Sequence, residues 1–328
     1  MSLITLDSNA YKYNLSSIAT RAGGYDKLIC VLKDNAYGHG IKLLAPVAKA
    51  CGVNFVAVKD ENEAYLLEKY FDNILILSHR PTGNESLNFI YALNDPSSFT
   101  KFKKNTRIHL KIDTNMHRNG INLNSLEAFL KELRYLNLEG AFTHFMSADE
   151  FDASYFAQRH NFQKAKKNIK NFTQETLIFH SFNSSALFRG KMPQDEMCRV
   201  GLVQFGYGGD DRLKKVLKLY AHKLSSRVLE KGQSVGYGGA YMANEPLKIA
   251  TYDLGYADGL FRYDGRGHLR LANGKKMLGK MSMDSFSCED SGEEICVLDD
   301  ANLWADFFHT INYEILVKLN ANIKRVLI

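Results

Sequence analysis

Short apolar runs alternate with amphipathic stretches from Asp7 to about Gly206. The runs are rich in β-branched and aromatic residues, and this alternation is typical of βαβ units around a parallel sheet. Eight strands are predicted: Leu28–Leu32, Asn54–Val58, Ile74–Ser78, Phe89–Leu93, Arg107–Ile112, Leu138–Phe145, Thr176–Phe182 and Met197–Phe205. Eight strands in roughly 200 residues predict an α/β fold, a TIM-like (β/α)8 barrel.

The stretches between these strands carry helix signals. Asp60 and Glu63 have the spacing of a capping box in front of an apolar stretch. A further helical stretch from Phe162 to Ile169 holds three lysines, which are Lys164, Lys166 and Lys167. We interpret them as a solvated helix face rather than an anion site.

The pattern changes after Leu213, where short apolar runs follow one another closely and are broken by glycine. The predicted strands there are Ser225–Leu229, Ser234–Tyr237, Leu247–Leu254, His268–Leu271 and Glu294–Leu298, and Ile311–Leu316 is expected to form a short helix. This pattern of closely spaced short strands predicts a smaller, mainly-β C-terminal domain. A chain of 328 residues also exceeds what one core usually organises. We therefore expect domains at 1–213 and 214–328.

Composition narrows the class of protein further. The chain has 42 Lys and Arg against 36 Asp and Glu, a net charge of +6, and the lysines are dispersed, which disfavours nucleic acid as a partner. Five scattered cysteines without a C-x-x-C pair suggest neither a disulfide framework nor a zinc site, and they fit a reducing compartment. No long apolar stretch or basic leader is present, so we expect a cytoplasmic protein without a membrane partner.

Lys33 directly follows the first predicted barrel strand. A lysine at the mouth of a barrel is partly desolvated, which lowers the pKa of its amine and makes it nucleophilic toward a carbonyl. Schiff-base chemistry is the natural use of such an amine. For a lone lysine, the alternative is a side chain that extends from the barrel rim into water.

The string from Lys33 to Gly40, K-x-N-A-Y-G-H-G, closely resembles the pyridoxal-phosphate lysine motif of the alanine racemase family. Further segments fit this family in order along almost the whole chain. The resemblance implies that pyridoxal 5′-phosphate is the cofactor and that Lys33 binds it covalently. It also implies that the Tyr37 hydroxyl contacts the cofactor phosphate.

The segment from Lys111 to Arg118 is similar to the family's K-x-D-T-G-M-x-R. The resemblance implies that Arg118 has two partners, the cofactor's phenolate oxygen and the substrate carboxylate. A guanidinium can bind a carboxylate through two parallel hydrogen bonds. The family lysine at the position of Lys111 is often carbamylated and then orients the arginine. Asn115 stands where the family has glycine.

The ends of the sixth, seventh and eighth strands complete the resemblance to a cofactor site. It implies that His144 stacks against the pyridine ring, and that Asn183 and Ser184 lie at the phosphate. The backbone at Gly201 and Leu202 closes this phosphate cradle, as is common at the last strands of such barrels.

Arg199 in the eighth strand matches the family arginine that faces the pyridine nitrogen. A guanidinium cannot give up its proton, so it keeps that nitrogen unprotonated and weakens the ring as an electron sink. A carbanion is then short-lived, which favours return of the proton to the same carbon and disfavours transamination. Decarboxylases of the same cofactor family place an acidic residue there, and Arg199 argues against that activity.

Three C-terminal segments resemble family motifs that carry the rest of the active site. Tyr237, in Ser234–Gly238, matches the second acid/base group, and inversion of a stereocentre needs two such groups on opposite faces. Lys33 is the other. Tyr256, Met283 and Asp284 match residues around the substrate. The resemblance implies a homodimer in which the partner subunit supplies these four C-terminal residues.

The implied function is alanine racemisation, the interconversion of L-alanine and D-alanine through a pyridoxal-phosphate external aldimine, which supplies D-alanine for peptidoglycan. One alternative is a broader-specificity amino-acid racemase of the same fold. Another is a non-catalytic regulatory protein that binds the cofactor, although the relatives of that type lack a C-terminal β domain. The family's late tyrosine at the phosphate falls near Ala321, so that contact is expected to be missing or replaced.

Overall fold

The computed structural model describes residues 1–173 and 175–328, which form two compact units. The barrel unit consists of Asn9–Asp34 and Leu44–Lys214. The β unit consists of Met1–Ser8, Asn35–Leu43 and Lys215–Ile328. The first strand of the chain, β1 (Leu3–Leu6), therefore belongs with the C-terminal segment.

Eight parallel strands form a closed ring in the barrel unit, which confirms the predicted fold. Each strand pairs with its neighbours in chain order, and the ring closes where the last strand pairs with the first. The strands are β2 (Leu28–Val31), β3 (Phe55–Val58), β4 (Asn73–Ile76), β5 (Ile90–Leu93), β6 (Arg107–Asp113), β8 (Asn137–Phe142), β9 (Ile178–Phe182) and β10 (Glu196–Val200). A short strand, β7 (Ile121–Asn122), pairs with the end of β6. Strands β2, β3 and β5 are buried at every position, as expected where helices cover a parallel sheet.

Helices of the barrel unit follow the predicted amphipathic stretches. They are α1 (Ser8–Ala22), α3 (Ile41–Ala50), α4 (Glu61–Leu67), α5 (Leu126–Glu132), α6 (Ser154–Phe172) and α7 (Ser184–Arg189), and α2 (Lys33–Tyr37) is described with the site. Asp60 caps α4, because its Oδ1 accepts from the Glu63 N–H at 3.2 Å. The Glu63 carboxylate in turn accepts from the N–H of Lys59 at 3.0 Å, so the capping box is present with its return bond one residue earlier.

The interpretation of Lys166 as a solvated residue is wrong. Its side chain is buried, and its ammonium lies 2.6 Å from a carboxylate oxygen of Asp195 and 3.1 Å from one of Glu196. Glu196 is itself buried at the start of β10, so α6 is tied to the barrel by a buried ion pair. The neighbouring Lys164 and Lys167 are exposed, as predicted.

The β unit is built around one long strand, β11 (Leu217–Leu229). Its main sheet has the order β15-β16-β14-β11-β1-β18, and β17 also pairs with β11. The remaining elements are β12 (Ser234–Val235), β13 (Tyr241–Met242), β14 (Leu247–Tyr252), β15 (Met277–Leu278), β16 (Phe286–Glu289), β17 (Glu294–Leu298), α8 (Ala301–Phe307), α9 (Asn312–Val317) and β18 (Lys324–Leu327). Trp304 of α8 is the largest fully buried side chain of its core.

Two C-terminal strand predictions need correction. His268–Leu271 is not a strand, because only Arg270 forms an isolated bridge, to Lys276. The strand predicted at Ser234–Tyr237 ends at Val235, and Tyr237 begins a short 3-10 turn. Glycines with positive φ, Gly267 and Gly274, lie on either side of the first segment, and Gly236 lies within the second, which interrupts strand pairing.

Candidate active site

Lys33 begins a left-handed helical turn, α2, directly after β2. The next four residues, Asp34 to Tyr37, have φ between 52° and 55°. Residues with a Cβ avoid this region at a cost of about 1–2 kcal/mol each. A run of four such residues is therefore strained, and persists only where surrounding contacts impose it.

Contacts within the β unit hold the second half of this turn. The Asn35 side-chain oxygen accepts from the N–H of Ile41 at 2.9 Å, and its carbonyl accepts from Gly40 at the same distance. Nε of Arg325 donates to the carbonyl of Gly38 at 2.9 Å. Tyr37 is buried and packs edge-on against Tyr313, with ring centroids 5.8 Å apart. The position of Tyr37 is thus fixed by hydrogen bonds and packing together.

Three cations of the barrel unit act electrostatically on a fourth, Lys111: they are Lys33, Arg118 and Arg199. Lys111 is buried near the end of β6, and its burial, followed by Arg118 and Arg199, lowers the pKa of its amine to about 8. Asp113 acts in the opposite direction, as the carboxylate that favours the charged amine. Three of the four charged groups that act on Lys111 are thus cations, and such an excess of positive charge suits an anionic ligand.

The same cations act on His144, which lies two residues after the end of β8. Burial lowers the pKa of its imidazole to about 3, and Arg199, Arg118, Lys111 and Lys33 add to this effect. The ring is therefore neutral at physiological pH. A neutral aromatic ring can pack against another ring without bringing a further charge into the site.

Arg199 is buried, and both of its terminal nitrogens are tied to neighbouring strands. Nη1 donates to the carbonyl of His180 and to Nδ1 of its ring at 2.8 Å, and Nη2 donates to the Thr143 carbonyl at 2.5 Å. Nε makes no hydrogen bond within the part of the chain that the structure describes. Burial lowers the pKa of Arg199 to about 10, which leaves it charged at neutral pH.

Two buried histidines extend this arrangement and were not predicted as site residues. Because Nδ1 of His180 accepts from Arg199, its Nε2 carries the proton and donates to Nδ1 of His109 at 2.7 Å. His109 then has its own proton on Nε2, which has no partner among the described residues. A sequence signal for His109 existed, since it lies two residues before Lys111 and so on the same face of β6.

The loop that carries Arg118 is organised by Asp113. One carboxylate oxygen accepts from the N–H groups of Asn115 at 3.1 Å and His117 at 3.0 Å, and the other lies 3.1 Å from the His117 ring. Asn115 has φ of 98°, so it adopts the conformation for which the family uses glycine. The replacement therefore preserves the turn, and Arg118 leaves it with an exposed side chain.

The ends of β9 and β10 bring the predicted phosphate residues together. The Ser184 hydroxyl accepts from the N–H of Gly201 at 3.1 Å. Asn183 caps α7 by accepting from the N–H of Ala186 at 2.9 Å, and Leu202 starts a 3-10 turn. A hydroxyl and backbone N–H groups thus meet at one place, which is the chemistry of a phosphate cradle.

The three C-terminal motifs also meet, within the β unit. The N–H of Ala257, next to Tyr256, donates to the carbonyl of Met283 at 2.9 Å. A Cβ on Gly279 would lie 2.5 Å from the carbonyl of Val235, so the segment that carries Tyr237 packs closely against the one that leads to Met283. Exposed fractions are 63% for Tyr237, 54% for Met283 and 38% for Tyr256, and Asp284 is exposed as well. These side chains form an exposed face of the unit.

Comparison with known families agrees with this arrangement. The profile of alanine racemase N-terminal domains matches residues 6–208, and that of alanine racemase C-terminal domains matches residues 216–327. The chain belongs to the alanine racemase family. Membership makes it an amino-acid racemase, an isomerase of a family that depends on pyridoxal phosphate.

Curated members of the alanine racemase family are similar over their full lengths. The alanine racemase of Campylobacter jejuni strain 81-176 is 66% identical over 330 residues and 100% of both chains. The enzyme of Campylobacter curvus is 56% identical, with 99% of each chain covered.

Solved structures support the fold. Alanine racemase of Clostridium difficile 630 has a TM-score of 0.91 at 24% identity, with 100% of this chain and 95% of that chain covered. The Bartonella henselae alanine racemase with covalently bound pyridoxal phosphate has a TM-score of 0.84 at 25% identity and covers 100% and 99%. Among the described residues of the present chain, no helix has the length and apolarity to cross a membrane.

Proposed function

We propose that this chain interconverts L-alanine and D-alanine with pyridoxal 5′-phosphate as its cofactor, and that it supplies D-alanine for peptidoglycan. The observation that carries the proposal is full-length similarity to alanine racemases together with the cationic cluster in the barrel unit. We also propose a cytoplasmic location, which agrees with the free state of all five cysteines.

The residues present suit this cofactor. A phosphate, a phenolate and a substrate carboxylate are all anions, and the cluster offers the cations Lys33, Lys111, Arg118 and Arg199. Ser184 and Gly201 provide polar groups for the phosphate, with Asn183, Leu202 and Tyr37 beside them in the proposal. Among the described residues, the Nε–H of Arg199 has no hydrogen-bond partner, and Nη1 is bonded to the neutral ring of His180, which suits an unprotonated ring nitrogen.

When bound, the cofactor supplies the electron sink that makes the substrate's α-hydrogen acidic. Lys33 would hold it through its amine, and Arg199 would limit the strength of that sink by keeping its own proton. Arg118 would orient the substrate carboxylate, and Lys111, when carbamylated, would orient Arg118. Lys33 and Tyr237 would each remove or return a proton, one on each face of the α-carbon.

We propose that the active site is shared between two copies of the chain. The N-terminal domain predicted from sequence, residues 1–213, would bind the cofactor, and residues 214–328 would contribute to the partner's site. The exposure of Tyr237, Tyr256, Met283 and Asp284 supports this, because large side chains of a functional motif seldom stay exposed without a partner.

A subunit-mixing experiment tests the shared site. Lys33→Ala and Tyr237→Phe homodimers should both lose conversion of L-alanine to D-alanine. If the sites are shared, a mixed dimer carries both substitutions in one site and none in the other, so activity returns. If each chain forms its own site, every site in the mixed dimer carries one of the two substitutions and the mixture stays inactive.

A coupled assay over a panel of D-amino acids tests the substrate. Strong preference for alanine over serine is expected from the proposal. Comparable rates with several amino acids would instead identify a broad-specificity racemase. Binding of pyridoxal phosphate without turnover of any amino acid would identify a non-catalytic protein.

A further inference from the structure

Gln158 of α6 is a fully buried polar side chain whose hydrogen bonds are all satisfied. Its Nε2 donates to the Thr114 hydroxyl at 3.2 Å and to the carbonyl of His144 at 3.3 Å. Its Oε1 accepts from the N–H of Met146 at 2.9 Å. The amide therefore binds the segment after β8 at two points and the segment after β6 at one.

The hydrogen bonds run in one direction, which fixes the orientation of each group. The hydroxyl of Thr143 donates to the carbonyl of Ile112 at 3.0 Å, so its single proton is used. The contact of 2.7 Å between the hydroxyls of Thr114 and Thr143 must then have Thr114 as donor. Within the described part of the chain, the Thr114 hydroxyl accepts from Gln158, and a flipped amide would set two oxygens against each other at His144.

This chain of bonds connects the segments that carry the cofactor residues. Thr114 lies between Lys111 and Arg118, Thr143 precedes His144, and the carbonyl of Thr143 accepts from Arg199. Thr114, Thr143 and Gln158 are all buried, so a missing bond would leave a polar group without water.

We propose that Gln158 is a positioning residue for the active site, and this inference rests on the proposed function. It holds the backbone at His144 and Met146 and the side chain of Thr114, so that the His144 ring and the Arg118 loop keep their places together. It acts through these residues and does not touch the substrate itself.

The test uses Gln158→Leu and Gln158→Glu in the dimeric holoenzyme, with Gln163→Leu as matched control. Gln163 lies on the same helix and donates to Glu196 at the start of β10, so its loss removes one bond to a different part of the barrel. Both Gln158 variants should raise the KM for alanine and the dissociation constant of pyridoxal phosphate about tenfold. A carboxylate at 158 cannot donate to the His144 carbonyl, so Glu does not rescue.

Hydrogen exchange followed by mass spectrometry gives a readout that is independent of turnover. Exchange should accelerate in peptides covering residues 114–118 and 143–147 of Gln158→Leu, with and without cofactor, and should stay unchanged there in Gln163→Leu. Thr143→Val should reproduce the effect and Thr143→Ser should not, which also covers the case in which the Gln158 variants fail to fold.

Unchanged exchange and cofactor binding in a folded Gln158→Leu protein would overturn the inference. Equal losses in Gln158→Leu and Gln163→Leu would also overturn it, because they would indicate a general stability effect. Absence of racemisation in the unaltered protein would refute the proposed function, while the exchange and cofactor measurements would still decide the role of Gln158.

Discussion

Arg199 donates a hydrogen bond to Nδ1 of His180 at 2.8 Å, and this bond decides which ring nitrogen of His180 carries the proton. The guanidinium and two imidazoles thereby form a directed row of donors across β10, β9 and β6. The row fixes the position of Arg199, and among the described residues its Nε–H has no hydrogen-bond partner.

Replacing His180 by Phe should loosen Arg199. The substitution removes one acceptor from a buried guanidinium and the donor to His109, so the free energy of unfolding should fall by about 2–4 kcal/mol. Affinity for pyridoxal phosphate should fall as well. Urea unfolding and a cofactor titration measure the two effects, and unchanged values in both would show that the row has no positioning role.

Acid should destabilise the fold through the buried histidines. Burial lowers the pKa of His109 to about 3, against an ordinary value of 6.5. Between these values the unfolded chain binds a proton at this residue and the folded chain does not, so stability rises with pH across the window and is lost as pH falls. One such group contributes a slope of about 1.4 kcal/mol per pH unit.

The variant His109→Gln should reduce that slope by about this amount between pH 4 and pH 5.5, measured by urea unfolding at several pH values. His160→Gln serves as a control, because His160 lies exposed on α6. Parallel stability profiles for His109→Gln and the unaltered protein would contradict the assignment.

Replacement of Lys166 by Met should be costly. Glu196 would lose its buried cationic partner, and breaking a buried pair from one side typically costs about 3–5 kcal/mol. Adding Glu196→Gln to the same chain should recover part of the loss. Lys164→Met, at an exposed position of the same helix, should change stability by less than about 0.5 kcal/mol. Thermal denaturation compares the three, and equal melting temperatures would indicate that the ion pair contributes nothing.

Gly120→Ala should disturb the end of β6. Gly120 has φ of 114°, and an added Cβ would lie 2.9 Å from the carbonyl of Lys111 and 2.8 Å from the N–H nitrogen of Asp113. We expect a loss of about 2 kcal/mol in stability and a higher KM for alanine, because Lys111 and the Arg118 loop must shift. Gly190→Ala is the matched control, since Gly190 is extended and has open space around it. Identical kinetics in both variants would argue against this coupling.

The barrel could be predicted from sequence because its strands are short runs in regular order and several of them are wholly apolar. Runs such as Leu28–Val31 are buried at every position, so local composition and burial agree. Strand β18 (Lys324–Leu327) escaped prediction because it alternates little and its partner β1 lies over 300 residues away. Long-range pairing of this kind leaves no local pattern.

The candidate site likewise contains residues that local motifs identify and contacts that only the fold creates. The motifs identified residues such as Arg118 and Ser184, and the structure brings Ser184 next to Gly201. The residue types Ala36 and Tyr37 do not predict a left-handed turn, because both disfavour positive φ. Tertiary contacts impose this conformation. Gln158 and Lys166 were hidden for a related reason, because helix periodicity does not show which polar side chain has a buried partner.

The pairing of β1 has a consequence for synthesis of the protein. Leu3–Leu6 leave the ribosome long before their antiparallel partner, which begins at Leu217. At roughly 5–20 residues per second, the nascent strand waits on the order of 10–40 s before a partner emerges. The barrel can close during translation, whereas the second sheet has to form after it. An N-terminal fusion partner would therefore act on the last folding step rather than on the first.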